Sequence, residues 1–576
     1  MTTRIGRKQL AAAAAALLFS GVSYGQNWLT DGGDTVRSGW QKDEHTLTKE
    51  NVKGLKLLWT IKTDVQPHAL HSLMTPLVVE DVPTSSGKKE MVYVLGVSDE
   101  LYAIDTATHK IAWEKHFTYA ALPPRQQGPP PEAAPGSAAP GGPARNTPGA
   151  AAAPGAGGAA QPAAGARAGA PARPAGAPGG SDMRGSTTEP KHFNFLNPNG
   201  STDVPVIGPA NAQGIRPIYV VDGGGNLHTL SDVTGEDMNP TVGMGVQSKF
   251  ALQLYKDSII FGYSGGIISA SVGGGMSTIT KSTGFGRSGG LWGRRGPAID
   301  SQGIVWTTTG DGQYDAEKNM LANSIVGFEM KDGAWHVKDW FTPPNWAWLW
   351  HRDLDPNNTP TIFNFKGKEL MAASGKECRV YLLDPKNAGG STHMEPLYKT
   401  PLICNEAVDF QNAGSWGALS SWEDPSGTRW VIVPFWGPAH SKFKFPITNT
   451  PETKEGGEAA FKVVDKNGKP ELEPVWVSRD MHRGEPPVIA DGMIFAYGSG
   501  ENTQQAWADI GLNFDSTIRA SKGERAVIYV LDAMTGKELW TSGDQIAGFN
   551  HFSALTVSNG KLYLGTYDGN LYCFGL

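Results

Sequence analysis

Cysteine is scarce: three in 576 residues, Cys378, Cys404 and Cys573. That is too few to staple a disulfide-built fold. No C-x-x-C-H run occurs to attach a haem covalently, and no zinc spacing is present. Charge is also sparse. Charged residues are 18% of the chain, and 50 Lys+Arg against 56 Asp+Glu leave a net −6. Neither the basic footprint of a nucleic-acid binder nor a membrane-surface patch is there. Helical bundles and coiled coils, which need many more Glu, Lys and Leu, are unlike this composition. Beyond Phe19 no apolar run approaches the roughly 20 residues that span a bilayer. What is abundant is glycine, 73 residues, and tryptophan, 18 residues, which together point to a large all-β body with many tight turns.

Two segments stand outside that body. Arg4, Arg7 and Lys8 precede an apolar run from Leu10 to Phe19, with Ser23 and Gly25 in an A-x-A-like frame. This predicts a secretory signal peptide over 1–25 and a periplasmic or secreted, non-membrane-spanning protein. No cysteine near the cleavage site suggests a lipid anchor. In such a compartment Cys378 and Cys404 could pair across neighbouring strands, or remain buried thiols. From about Pro123 to Arg184 the chain is almost wholly Ala, Gly and Pro. It lacks the apolar side chains to offset chain entropy, so a disordered insertion at about 123–184 is expected within one folded unit, 26–576.

The rest repeats. YVLGVSDELYAIDTATHKIAW (Tyr93–Trp113), YVVDGGGNLHTL from Tyr219, IVGFEMKDG from Ile325, YLLDPKNAGG from Tyr381 and YVLDAMTGKELW (Tyr529–Trp540) share one pattern. An alternating apolar strand is followed by an aspartate, a glycine-containing turn and often a tryptophan. Period-two alternation with close turns means antiparallel strands, and recurrence means an array. A β-propeller of four-stranded antiparallel sheets closes such an array with only short edges, and the residues outside the signal and the insertion suffice for an eight-bladed one, at about sixty residues per sheet. LKLLWTIKT (Leu55–Thr63) is expected to complete the sheet begun by the C-terminal strands.

The repeats also locate an axis. Each unit has a short strand such as TPLVVED at Thr75, GPAIDSQG at Gly296 or PPVIADG at Pro486. Residues just before these strands should converge at one end of the central channel. They include His71, Asp203, Trp292, Arg294, Arg295, Asp353, Asp355, Trp416, His482, Glu485 and His551. They would form a polar funnel with an aromatic floor, or else satisfy loop backbone groups around a wet channel.

NWLTDGGDTVRSGWQKDEHTLTKENVKGLKLLW (Asn27–Trp59) resembles the start of the pyrroloquinoline quinone dehydrogenases, and the repeats resemble the tryptophan-docking motifs of that eight-bladed family. The likeness spans nearly all of the chain outside the signal peptide and the insertion. It implies an exported quinoprotein oxidising an alcohol or sugar with pyrroloquinoline quinone and calcium, and passing electrons to a separate acceptor such as a cytochrome c. It also assigns residues. In LWGRRGPAID, Trp292 would be the floor under the quinone. In TTTGDG, Asp311 stands where the family has an Asn calcium ligand. In WLWHRDLDPNNTP, Asp353 matches the catalytic aspartate and would share the calcium. In SGKECRVYLLD, Lys376 would contact the quinone oxygens, and in GSWGAL, Trp416 lies near a family Asn-Trp pair. The chemistry asked of them is a general base, a Lewis acid and a cation on the reduced oxygen. Each also has a plain structural reading: a turn aspartate, a strand-end lysine, intersheet tryptophans. Two departures are evident. Gly223, Gly224 and Gly225 occupy the phrase where the family carries a calcium-binding glutamate, and no adjacent cysteine pair occurs. Two other readings are a non-catalytic scaffold propeller related to outer-membrane assembly proteins, and a metal-binding propeller using His71, His482, His551 and Glu485 for copper, zinc or iron.

Overall fold

The computed structural model describes residues 26–120, 200–273, 278–283, 285–286, 289–503 and 516–576. The expected signal peptide and the Ala/Gly/Pro insertion lie outside the described residues. The chain forms eight antiparallel sheets arranged as the blades of a propeller. Blade 1, for example, runs through Leu77–Thr84, Gly87–Gly96, Glu100–Asp105 and Lys110–His116. Blade 8 is built from both ends of the sequence: Lys56–Lys62 pairs antiparallel with Asn570–Gly575, as expected from the Leu55–Thr63 phrase. That pairing joins the last blade to the first part of the chain and shuts the ring.

The repeated aspartate–glycine–tryptophan phrase has a packing cause. Trp113 of blade 1 donates its indole N–H to the Asp232 carbonyl of blade 2 at 3.3 Å, and Trp476 of blade 6 does the same to Ala533 of blade 7 at 3.0 Å. Each ring lies against the turn glycine of the next blade, Gly235 or Gly536, where a Cβ would collide with the indole. Both glycines also hold φ near +70°, which side chains resist. The sequence therefore repeats because every blade must dock on its neighbour.

The first strand of each blade is innermost, since the first strands of adjacent blades touch one another. Residues Trp28–Gln41 thread across this inner ring. Their backbone or side chains bond to Val78, Ile207, Leu252, Ile299, Ile362, Ser421, Ile489 and Val557, one residue from each blade in order. Six of these are main-chain bonds, so one segment ties every blade to the hub. Arg37 anchors it, with Nη2 to the Leu252 carbonyl at 2.9 Å and Nε to the Pro297 carbonyl at 3.1 Å.

Two blades depart from the expected four strands. Blade 4 has a broken inner strand: Leu291–Trp292 and Ala298–Ile299 both pair with Val305–Thr309. Gly293 and Gly296, both at positive φ, bend the chain between them and bring out Arg294 and Arg295. Blade 6 carries an additional strand, Ile447–Thr448, parallel to Lys469–Val477. Cys378 and Cys404 form a disulfide, and Cys573 is a buried thiol. No helix among the described residues is long and apolar enough to cross a membrane.

Candidate functional site

Antiparallel order decides which loops share a face. If the innermost strand starts at one end of the channel, the segment before it and the turn after the second strand both lie at that end. Asp353, Asp355, Trp416 and His551 come from the first kind of segment, and Trp292 ends the first piece of the broken inner strand of blade 4. Lys376 follows the second strand of blade 5, Asp311 that of blade 4, and Glu501 that of blade 7.

Four of the five site residues named from the resemblance meet here. Lys376 Nζ bonds to Asp353 Oδ1 at 2.8 Å and to Asp355 Oδ1 at 2.7 Å. The same ammonium stands 5.7 Å from the ring centroid of Trp292 and 5.2 Å from that of Trp416, within cation–π range. Trp292 is backed by Phe250 at 5.6 Å, and Trp416 stacks on Trp436 at 4.9 Å. Trp292 keeps a partly exposed surface, whereas Trp416 is buried. Gly310 packs directly on the Trp292 indole and close to Asp355, where a Cβ would strike the ring nitrogen. Asp311 is the next residue along this turn. The reading of Lys376 as an exposed strand-end lysine is overturned, since the residue is 5% exposed. Asp353 does occupy a turn, at φ +56°, and its Oδ1 accepts from Lys376.

The lysine loop is tightly fastened. Asn405 Nδ2 donates to the Lys376 carbonyl at 2.7 Å, Ser415 N–H donates to the Gly375 carbonyl at 3.1 Å, and the Cys378–Cys404 disulfide ties the adjoining segments. Burial alone would depress the Lys376 ammonium, but the two flanking carboxylates more than offset it and raise its pKa. Asp355, 1% exposed, is pushed up to about 6 by burial, opposed by Lys376 and reinforced by Asp353.

The remaining predicted residues divide. Arg294 meets Glu485 at 2.5 Å; burial raises Glu485 to about 7, with Arg294 opposing. Arg295 bridges inner strands through the Leu419 and Pro487 carbonyls, both at 2.9 Å, and is part of the hub rather than the funnel. Asp203 is fully buried; burial raises it to about 8, and the Val221 N–H donates to its Oδ2 at 3.0 Å. His71 and His551 meet edge to face at 5.2 Å. His482 instead lies 3.3 Å from Glu524. With Glu485 held by Arg294, the four-residue metal site of His71, His482, His551 and Glu485 is not formed. Among the described residues no group of three or more His, Cys, Asp or Glu is placed to hold a metal ion.

Sequence reasoning missed the turn residues on this face. Glu501 accepts from His551 Nδ1, and Arg519 lies 3.8 Å from the same carboxylate. His551 Nε2 is buried without a partner among the described residues. Burial lowers the His551 pKa against the pull of Glu501. At Gly223, Asp99 accepts the Gly223 N–H at 2.8 Å, Ser201 Oγ–H at 2.6 Å and Tyr119 O–H at 2.6 Å. Tyr119 lies directly over Gly223 and Gly224, where a Cβ on either would collide with it. The signal that could have found Asp99 and Glu501 was position in the blade, just after the second strand.

With this geometry in hand, the known structures can be compared. The chain has the fold of a europium-containing methanol dehydrogenase. The TM-score is 0.54 at 12% identity, covering 96% of this chain and 99% of that one. The quinohemoprotein alcohol dehydrogenase from Comamonas testosteroni aligns with TM-score 0.50 at 13% identity, over 96% of this chain and 80% of its own. No family model and no curated protein matches the sequence.

Proposed function

We propose that this propeller is an exported quinoprotein dehydrogenase that oxidises a small alcohol or sugar at the Lys376 cluster. The observation that carries the reading is the Lys376 ammonium set between the faces of Trp292 and Trp416 and held by two carboxylates. A flat quinone needs an aromatic surface and a donor for its oxygens, and this chain supplies both. Trp292 would carry the ring. Lys376, with three N–H donors and two committed to aspartates, has one left for a carbonyl oxygen. Pyrroloquinoline quinone, when bound, supplies the two-electron acceptor that the side chains lack.

The chain's own part is positioning and proton handling. Asp353 is the proton acceptor for the substrate hydroxyl, oriented by Lys376. Asp355, raised by burial and beside Asp353, can hold a proton near neutral pH and serves as the relay away from it. The aromatic walls keep water from the reacting face. Electrons leave to a separate acceptor such as a cytochrome c, because no C-x-x-C-H haem site occurs. The disulfide supports an oxidising, periplasmic or secreted location.

Calcium fits the residues poorly. Asp353 of the expected Asp311–Asp353 pair is bonded to Lys376, and the glutamate position is glycine beneath Tyr119. No step is routed through a metal.

The reading is tested by adding pyrroloquinoline quinone to purified protein, desalting, and measuring retained absorbance and dye reduction with short alcohols and aldoses. Retention with turnover is expected, and Trp292→Ala should lose both. A wild-type protein that retains no quinone and turns over nothing in the panel is the scaffold instead.

A further inference from the structure

We propose that Lys376 is the resident cation of this pocket: its ammonium takes the place a multivalent ion would need, and a flat, carbonyl-bearing ring binds there without a metal. This deepens the reading above and rests on it only for which ring is bound.

Calcium requires six to eight oxygen ligands at about 2.3–2.6 Å. The two best-placed carboxylates, Asp353 and Asp355, each commit Oδ1 to Lys376 Nζ, at 2.8 and 2.7 Å. A multivalent ion bridging those oxygens would meet the ammonium at contact distance. Lys376 cannot swing aside into water. It is 5% exposed, its carbonyl is held by Asn405, and both indole faces stabilise the charge where it stands. Leaving would also strand two buried carboxylates, which is strongly unfavourable.

Gly223 and Gly224 carry no side chain, and Tyr119 fills the space a longer residue would enter. Asp99, the carboxylate nearest those glycines, already accepts from Tyr119, Ser201 and the Gly223 N–H. A lysine thus bridges the acidic pair where a cation would bind, and a tyrosine occupies the room a longer side chain at Gly223 would need. A third N–H of Lys376 is then the group that meets a ligand oxygen, as a Lewis acid otherwise would.

The test uses the full-length protein and terbium(III), whose emission is sensitised by nearby indoles such as Trp292 and Trp416. Wild type should show no saturable sensitised emission that Asp353→Asn removes, and no calcium-dependent rise in melting temperature. Lys376→Met, which keeps length and loses charge, should gain a terbium site competed by calcium, with affinity higher about a hundredfold or more. Adding Asp355→Asn to it should abolish the gain. If Lys376→Met is unstable alone, added calcium should restore its melting temperature. The proposal is overturned if wild type binds terbium in one saturable site that needs Asp353, or if folded Lys376→Met gains no site. The titration is read without quinone, so failure of quinone retention leaves it intact.

Discussion

Two halves of the funnel bury charge in opposite ways. On the side of blades 4 to 6, one ammonium, Lys376, neutralises two carboxylates between tryptophan faces. On the side of blades 7, 8 and 1, one carboxylate, Glu501, serves the imidazole of His551 and the guanidinium of Arg519. The first half sets one cation between two carboxylates, and the second sets one carboxylate between a guanidinium and an imidazole. A buried ionic cluster is stable only while every member keeps a partner, so the two halves should respond oppositely to lost partners and to pH.

The largest break is Lys376→Ala. It leaves Asp353 and Asp355 buried without their cation and should cost about 3–5 kcal/mol in denaturant unfolding. The matching change across the funnel, Glu501→Gln, removes one charge-assisted bond from a cluster that retains a hydrogen-bonding amide. About 2 kcal/mol is expected. Equal losses would erase the contrast. The disulfide belongs to the first half, because Cys378 lies two residues beyond Lys376 and the bridge closes a separation of 26 residues. Cys378→Ser should lower stability by about 2–4 kcal/mol and weaken quinone retention, whereas melting of a His551→Gln variant should leave retention unchanged.

The pH response sharpens the comparison. His551 has a lowered folded pKa, so below about 6.5 the unfolded chain binds the extra proton and stability falls as pH drops. His551→Gln should flatten that acid limb between about pH 6.5 and 5 in thermal melts. Asp355 and Asp203 are raised, to about 6 and about 8. Their stabilising contribution is complete below the unfolded carboxyl range and is lost as pH rises through those values. Asp203→Asn should therefore raise the melting temperature by about 2–4 °C near pH 9 and change little near pH 5. This is the smallest effect of the set, and a flat difference across pH would show that Asp203 does not titrate in that window.

Much of this was legible in the sequence for a physical reason. Period-two alternation, turn aspartates and glycines, and the tryptophans that dock on Gly235 and Gly536 are local requirements repeated in every blade, so they leave a repeated trace. The Leu55–Thr63 closure was readable because an edge strand must find a partner. Trp292, Asp353, Lys376 and Trp416 could be named from resemblance. Their convergence is observed, and their roles are the proposal. Asp99 and Glu501 follow second strands, Tyr119 follows the fourth strand of blade 1 and Arg519 lies in the short helix Ser516–Ser521, so no one local pattern marks the four.

Sequence by itself determined the strand period, the antiparallel pairing and the meeting of the two chain ends, because these follow from short-range pattern and from the need to close a ring. Only the tertiary structure decided that Lys376 faces inward and bridges Asp353 and Asp355, that Tyr119 covers Gly223 and Gly224, and that His551 pairs with Glu501 and His482 lies near Glu524. Those outcomes depend on which side chains, far apart along the chain, compete for the same few ångströms of buried space.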